Sequence, residues 1–83
     1  MRMSTRKLAP GKRNIVGARV TEARSAVGML QKDLLAHLQL AGMEISPPAL
    51  SLLEGQERPV SDITLKALSE ILNVDVRWLL GQI

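Results

Sequence analysis

The sequence predicts an all-helical fold, and three observations lead to that prediction. Apolar residues recur at intervals of three and four, and no stretch alternates with period two. Residues that start and stop helices separate the periodic segments. At 83 residues with 46% hydrophobic content, the chain is one small domain with an ordinary core. It has no cysteine, which excludes disulfides and thiolate metal sites and suits a reducing cytoplasm.

The first two helices are predicted over about residues 15–26 and 31–41. The apolar face of the first consists of Val16, Val20, Ala23 and Val27. The second has its apolar face at Leu34, Leu35, Leu38 and Ala41. Gly28 and Gly42 follow these segments, and glycine is a common helix stop.

Three shorter helices follow, and each begins at a side chain that can cap it. Ser46 is the predicted N-cap of the third helix, in which Leu50 and Leu53 continue the inward face of Ile45. Ser61 caps the fourth, with Asp62 at the positive end of its dipole and Asn73 at its end. Its predicted apolar face is Ile63, Ala67, Leu68, Ile71 and Leu72. Asp75 caps a last helix with inward residues Val76, Leu79 and Leu80, closed by Gly81.

Positive charge is concentrated at the N-terminus. Residues 1–24 have a net charge of +6, and the remainder has a net charge of −3, giving +3 overall. Residues 1–13 show no periodicity and are predicted to form a flexible basic arm before a domain at 14–83. Such an arm suits contact with a polyanion, although a solvated, solubilising tail would have the same composition.

The order of motifs resembles a known family. The stretches "ARVTEARSAVGMLQKDLLAHL", "ISPPALSLLEG" and "DITLKALSEILNVDVRWLLG" are similar to the lambda-repressor-like, Cro/CI-type helix-turn-helix family, the xenobiotic-response-element family. The resemblance spans roughly residues 15–81. It implies a compact five-helix DNA-binding domain in which Gln31 opens the first helix of the motif and residues 46–54 form the recognition helix. It also implies that Arg24 and Glu54 pair, tying the first helix to the motif.

The chain departs from the family pattern in three places. About four extra residues around "QLAGME" predict an extended second helix and a long turn. Gln56 stands where glycine is usual, and a left-handed conformation there would cost on the order of 1 kcal/mol. The positions that face the major groove in the family are Pro47, Pro48, Ala49, Ser51 and Leu52 here. Only Ser51 among them has a polar side chain.

The two prolines have a structural and a functional interpretation. A helix's first N–H groups lack intrahelical partners, so prolines at its start lose little and preset φ. This helix clamp is the favoured interpretation of Pro47 and Pro48. In the alternative, they and Ala49 pack against thymine methyl groups.

The remaining candidate contacts to DNA follow from position and charge. Gln31 lies at a helix N-terminus, where it can donate a hydrogen bond to a phosphate of DNA. Lys32 and Arg58 can also contact phosphate, or they can be solvated surface residues. The full predicted set is Arg6, Lys7, Lys12, Arg13, Gln31, Lys32, Ser46, Pro47, Pro48, Ser51 and Arg58. His37, the single histidine, lies on a polar helix face, which argues against catalysis or metal binding.

Function follows from the resemblance together with what the sequence excludes. It has no carboxylate pair, phosphate loop, nucleophile elbow or zinc spacing, so no enzyme, metal or cofactor is expected. No membrane span is expected either. The expected function is a cytoplasmic transcriptional regulator, of the repressor kind, that binds double-stranded DNA as a homodimer. The alternative is a protein-interaction module, antitoxin-like or a degenerate helix-turn-helix, because the recognition surface is apolar and the body acidic.

Overall fold

Five helices form the regular structure of residues 13–83, which are the residues that the computed structural model describes. They are α1 (Gly17–Ala26), α2 (Gln31–Leu40), α3 (Pro47–Glu54), α4 (Asp62–Leu72) and α5 (Val76–Leu79). No strand occurs in these residues. The prediction of an all-helical fold is confirmed. None of these helices has the length and apolar content that crossing a membrane requires.

The predicted helix boundaries agree with the structure at most ends. The hydroxyl of Ser46 accepts from the Ala49 N–H at 3.3 Å, and that of Ser61 accepts from the Thr64 N–H at 3.1 Å. The Asp75 carboxylate accepts from the N–H of Arg77 at 2.7 Å. These bonds satisfy donors that a helix start otherwise leaves unpaired, which is why the helices begin where they do.

The core lies where α1 packs against α3, α4 and α5, and where α2 packs against α3 and α4. All of its fully buried large side chains are leucines or valine: Val20, Leu34, Leu38, Leu50, Leu53, Leu68 and Leu79. Ile45, Leu35 and Trp78 are among the half-buried residues around them.

Four residues assigned to apolar faces are neither in this core nor packed against it, and one of them, Val76, is half-buried. Val27 is 66% exposed because it is the C-cap of α1, where the chain has already left helical geometry at φ −106° and ψ 10°. Ala41 is exposed for the same reason, since α2 ends at Leu40. Ile63 is 65% exposed because it lies roughly 140° around the axis of α4 from the fully buried Leu68.

The N-terminus of α1 approaches the backbone at the end of α3. A side chain at Gly17 would collide with the carbonyl oxygens of Leu53 and Glu54, and would lie 2.7 Å from the latter. Asn14 bridges the same junction: its amide donates to the carbonyls of Leu53 at 3.1 Å and Arg58 at 2.8 Å. The Asn14 side-chain oxygen accepts from the N–H of Gly17 at 2.8 Å. Residues 14–17 thus fasten the start of α1 to the end of α3.

Gln56 has the left-handed backbone that its position predicts, with φ 63°. Gln56 is only 8% exposed, and its side chain lies against Gly17. Its carbonyl accepts from the Arg13 N–H at 2.9 Å, so Arg13 lies beside the end of α3. Packing of this side chain offsets the backbone strain, which accounts for a residue other than glycine here.

Candidate nucleic-acid interface

A long turn joins α2 to α3. Residues 41–46 form it, and the Gln39 side-chain amide donates to the Ile45 carbonyl across it at 3.0 Å. Ile45 is half-buried against the core. The long turn agrees with the prediction, and its contacts with the core fix where α3 begins.

Helix α3 presents one buried face and one exposed face. Leu50 and Leu53 are each 1% exposed, whereas Pro47, Pro48 and Ser51 are exposed. Leu52 is also exposed, at 49%. Since α3 has no charged residue other than Glu54, its outer surface is largely apolar.

The ion pair expected between Arg24 and Glu54 is present. Arg24 Nε lies 2.8 Å from Glu54 Oε2, and Arg24 Nη2 lies 2.9 Å from Oε1, which is a bidentate arrangement. The two side chains are only 15% and 7% exposed. Thr21 donates to the same carboxylate at 3.0 Å, and a further Arg24 nitrogen donates to the Met29 carbonyl at 2.9 Å. The network ties α3 to both α1 and the start of α2.

Gln31 and Ser51 extend this network to the surface. The Gln31 amide nitrogen donates to Glu54 Oε1 at 3.1 Å, and the Ser51 hydroxyl donates to the Gln31 amide oxygen at 3.2 Å. Both ends of the Gln31 amide are therefore engaged inside the protein. Its expected contact with phosphate remains a prediction, to be made by its second amide N–H or its backbone.

The start of α2 and the start of α3 share a groove of about 150 Å³. Its lining consists of Gln31, Lys32, Leu35, Pro47 and Leu50. Lys32 is exposed and forms no ion pair with any residue of 13–83. Four of the predicted contact residues, Gln31, Lys32, Pro47 and Ser51, are thus neighbours.

Arg58 is placed apart from this group. It lines a separate groove of about 320 Å³ beside Ile45, Val60 and Thr64, which shares no residue with the groove at Gln31. Arg13 is exposed at the end of α3. The predicted contacts at Arg6, Lys7 and Lys12 lie outside the described residues.

The two helix starts differ in what their backbones can offer an anion. Pro47 and Pro48 have no N–H, and the Ala49 N–H is bonded to Ser46. The backbone N–H groups of Gln31 and Lys32 have no partner among the described residues. Backbone contact to phosphate would therefore come from α2 rather than α3.

The described domain carries little unpaired positive charge. Residues 13–83 contain seven basic and eight acidic residues, whereas residues 1–12 contain four basic and none acidic. Arg19 donates to the Trp78 carbonyl at 2.9 Å and lies 5.0 Å from the centre of its ring. The side chain and backbone N–H of Arg77 donate to Asp75 and lower the pKa of that carboxyl to about 2. Most positive charge available to a polyanion therefore lies in the N-terminal segment of the sequence.

Sequence reasoning did not identify Asn14, Thr21 or the Met29 carbonyl as parts of this arrangement. Asparagine just before a helix is a known start signal, so Asn14 could have been found. The described residues contain no cluster of three or more metal-ligating side chains. In comparisons with known proteins, no family model, curated protein or solved structure matches this chain.

Proposed function

We propose that the protein is a DNA-binding transcriptional regulator that inserts α3 in the major groove. The observation that supports this most is the way α3 is presented. Its exposed side carries Pro47, Pro48, Ser51 and Leu52, while its inner end is held by the buried pair of Arg24 and Glu54. A short, rigid, outward-facing helix beside the start of a second helix is the arrangement of a helix-turn-helix.

Affinity in this proposal comes mainly from phosphate contacts. The described domain has one more acidic than basic residue, so its own field does not attract DNA. Arg6, Lys7, Lys12 and Arg13 supply the positive charge, and Lys32 with the free N–H groups at the start of α2 adds a contact beside α3. These contacts position the domain without reading sequence.

Specificity requires more than one copy of the domain. A single α3 of eight residues spans few base pairs. Two copies on a two-fold-related site, one helical turn apart, double the number of bases read. The protein therefore acts as a homodimer on DNA, and as a repressor its bound dimer would occlude the transcription machinery.

A second function has one specific observation in its favour. The outer side of α3 has no Arg, Lys, Asn or Gln, the side chains that most often read bases. Leu52 and Leu30 are about half exposed, which suits an apolar partner surface. In this alternative the domain binds another protein, such as a regulator or a toxin, and reads no sequence.

Binding to random duplex DNA over a range of salt concentrations separates the two functions. For a regulator, the logarithm of the binding constant should fall linearly with the logarithm of the salt concentration. An interaction module should not bind random duplex DNA. Replacing Arg6, Lys7, Lys12 and Arg13 with Ala should weaken binding to all sequences equally. The slope should flatten by ~0.9 for each phosphate that the variant no longer neutralises.

A charge-matched control tests whether the position of the charge matters. Arg6→Ala/Lys7→Ala and Lys66→Ala/Arg77→Ala remove the same charge, and Lys66 and Arg77 are exposed. Only the first pair should flatten the slope. Equal effects would show that net charge alone drives binding, and an unchanged slope in the arm variant would show that the arm only solubilises the protein.

A further inference from the structure

The hydrogen-bond chain from Glu54 to Ser51 has a direction fixed at its buried end. The Glu54 carboxylate, paired with Arg24, has only acceptor oxygens. Its Oε1 receives bonds from Thr21, Arg24 and Gln31. Every group that faces this carboxylate must therefore be a donor.

This requirement orients the Gln31 amide. An amide has a donating nitrogen and an accepting oxygen, and exchanging them changes the bonds without changing the shape. If the Gln31 oxygen faced Glu54 Oε1, two acceptors would oppose each other at 3.1 Å. The nitrogen must face Glu54, so the oxygen must face Ser51, as observed.

The orientation of Gln31 in turn determines what Ser51 can offer. A serine hydroxyl has one proton to donate and two lone pairs. The Ser51 hydroxyl donates its one hydrogen bond to the Gln31 side-chain oxygen, at a distance of 3.2 Å. Ser51 is exposed, so what it presents to solvent is acceptor capacity alone.

We propose that Ser51 reads an exocyclic amino group in the major groove and that Gln31 is the positioning residue that imposes this choice. The inference rests on the proposed function. Adenine N6 and cytosine N4 are the amino groups on the major-groove edge, whereas guanine O6 and N7 and thymine O4 are acceptors. A hydroxyl that can only accept forms a hydrogen bond with these amino groups. It is repelled by the acceptor atoms of guanine and thymine.

The test begins with duplexes selected by the wild-type protein from a random pool at fixed salt. At the position next to Ser51, adenine is replaced by purine, or cytosine by 2-pyrimidinone, each of which lacks the amino group. The consensus itself shows which of the two bases is read. Loss of the amino group should weaken wild-type binding by about fivefold, the value of one net hydrogen bond. For Ser51→Ala the two duplexes should bind equally.

Gln31→Met tests the positioning role, because methionine fills the space but accepts no comparable bond. This variant should still bind, and the freed Ser51 proton should let guanine and thymine be accepted at that position. Ser25→Ala removes an exposed serine on α1 and should behave as wild type. Thermal unfolding of each variant checks that the domain remains folded.

Two results would overturn the assignment. A wild-type consensus with guanine or thymine at this position, or a Ser51→Ala protein that keeps the full amino-group penalty, would show that Ser51 does not read it. Either result would leave DNA binding intact. If the wild-type protein shows no salt-dependent binding to any duplex, the proposed function fails and the assignment fails with it.

Discussion

Removing Arg24 should destabilise the domain far more than removing an exposed base. Arg24→Met leaves the Glu54 carboxylate, 7% exposed, with only Thr21 and Gln31 as donors. An uncompensated buried charge of this kind costs ~3 kcal/mol. For a domain of this size that corresponds to a fall in Tm of about 12–24 °C. The assay is thermal and urea unfolding, followed by circular dichroism and by the fluorescence of the single tryptophan, Trp78.

The matched control is the exposed pair of Lys66 and Glu70, which are 3.8 Å apart one turn along α4. Lys66→Met should cost at most ~0.5 kcal/mol. Combining Arg24→Met with Glu54→Leu should cost less than the sum of the two single changes, because no charge is then left buried. Equal falls in Tm for Arg24→Met and Lys66→Met, or a simply additive double variant, would show that Arg24 does not compensate a buried charge.

Three further changes have definite expected outcomes. Gly17→Ala should destabilise the domain by about 2 kcal/mol, because the two nearest obstructing atoms, the carbonyl oxygens of Leu53 and Glu54, are backbone and cannot rotate away; an unchanged Tm would contradict this close approach. Replacing Pro47 and Pro48 with Ala should lower stability by at most ~1 kcal/mol, since only the preset φ is removed, and should leave the selected DNA consensus unchanged. A consensus that loses defined thymines only in this variant would instead indicate contacts to their methyl groups. The pKa of Asp75 is lowered from 3.8 to about 2 in the folded protein. Its contribution to stability is therefore present above pH 3.8 and lost as the pH falls towards 2, and Asp75→Asn should flatten the acid-unfolding profile in that window.

Local rules predicted most of the fold. Ser46, Ser61 and Asp75 cap their helices as expected, because capping depends on bonds between residues two or three apart. The rules failed where burial depended on where a helix stops or turns. Val27 continues the apolar spacing of α1 but lies beyond its end, and Ile63 lies about 140° around α4 from the buried Leu68.

The candidate site could be predicted only in part. The pairing of Arg24 with Glu54 came from the family resemblance, since periodicity does not relate residues 30 apart. The exposure of Pro48 and Ser51 follows from the inward positions of Leu50 and Leu53. The bond between Gln31 and Ser51 could not be foreseen, because it depends on how α2 and α3 pack across the long turn.

The fastening of α1 to distant parts of the chain has a consequence for synthesis. The Asn14 side chain bonds to carbonyls 39 and 44 residues later, and Arg19 bonds to one 59 residues later. Within the described domain, the helix that is synthesised first is therefore the one whose partners are synthesised last. Closing loops of this length costs chain entropy before the stabilising contacts form. Helix α1 therefore docks late on the growing chain. A nascent chain stalled before Glu54 has its α1 unanchored, and this domain is completed only after translation has passed α5.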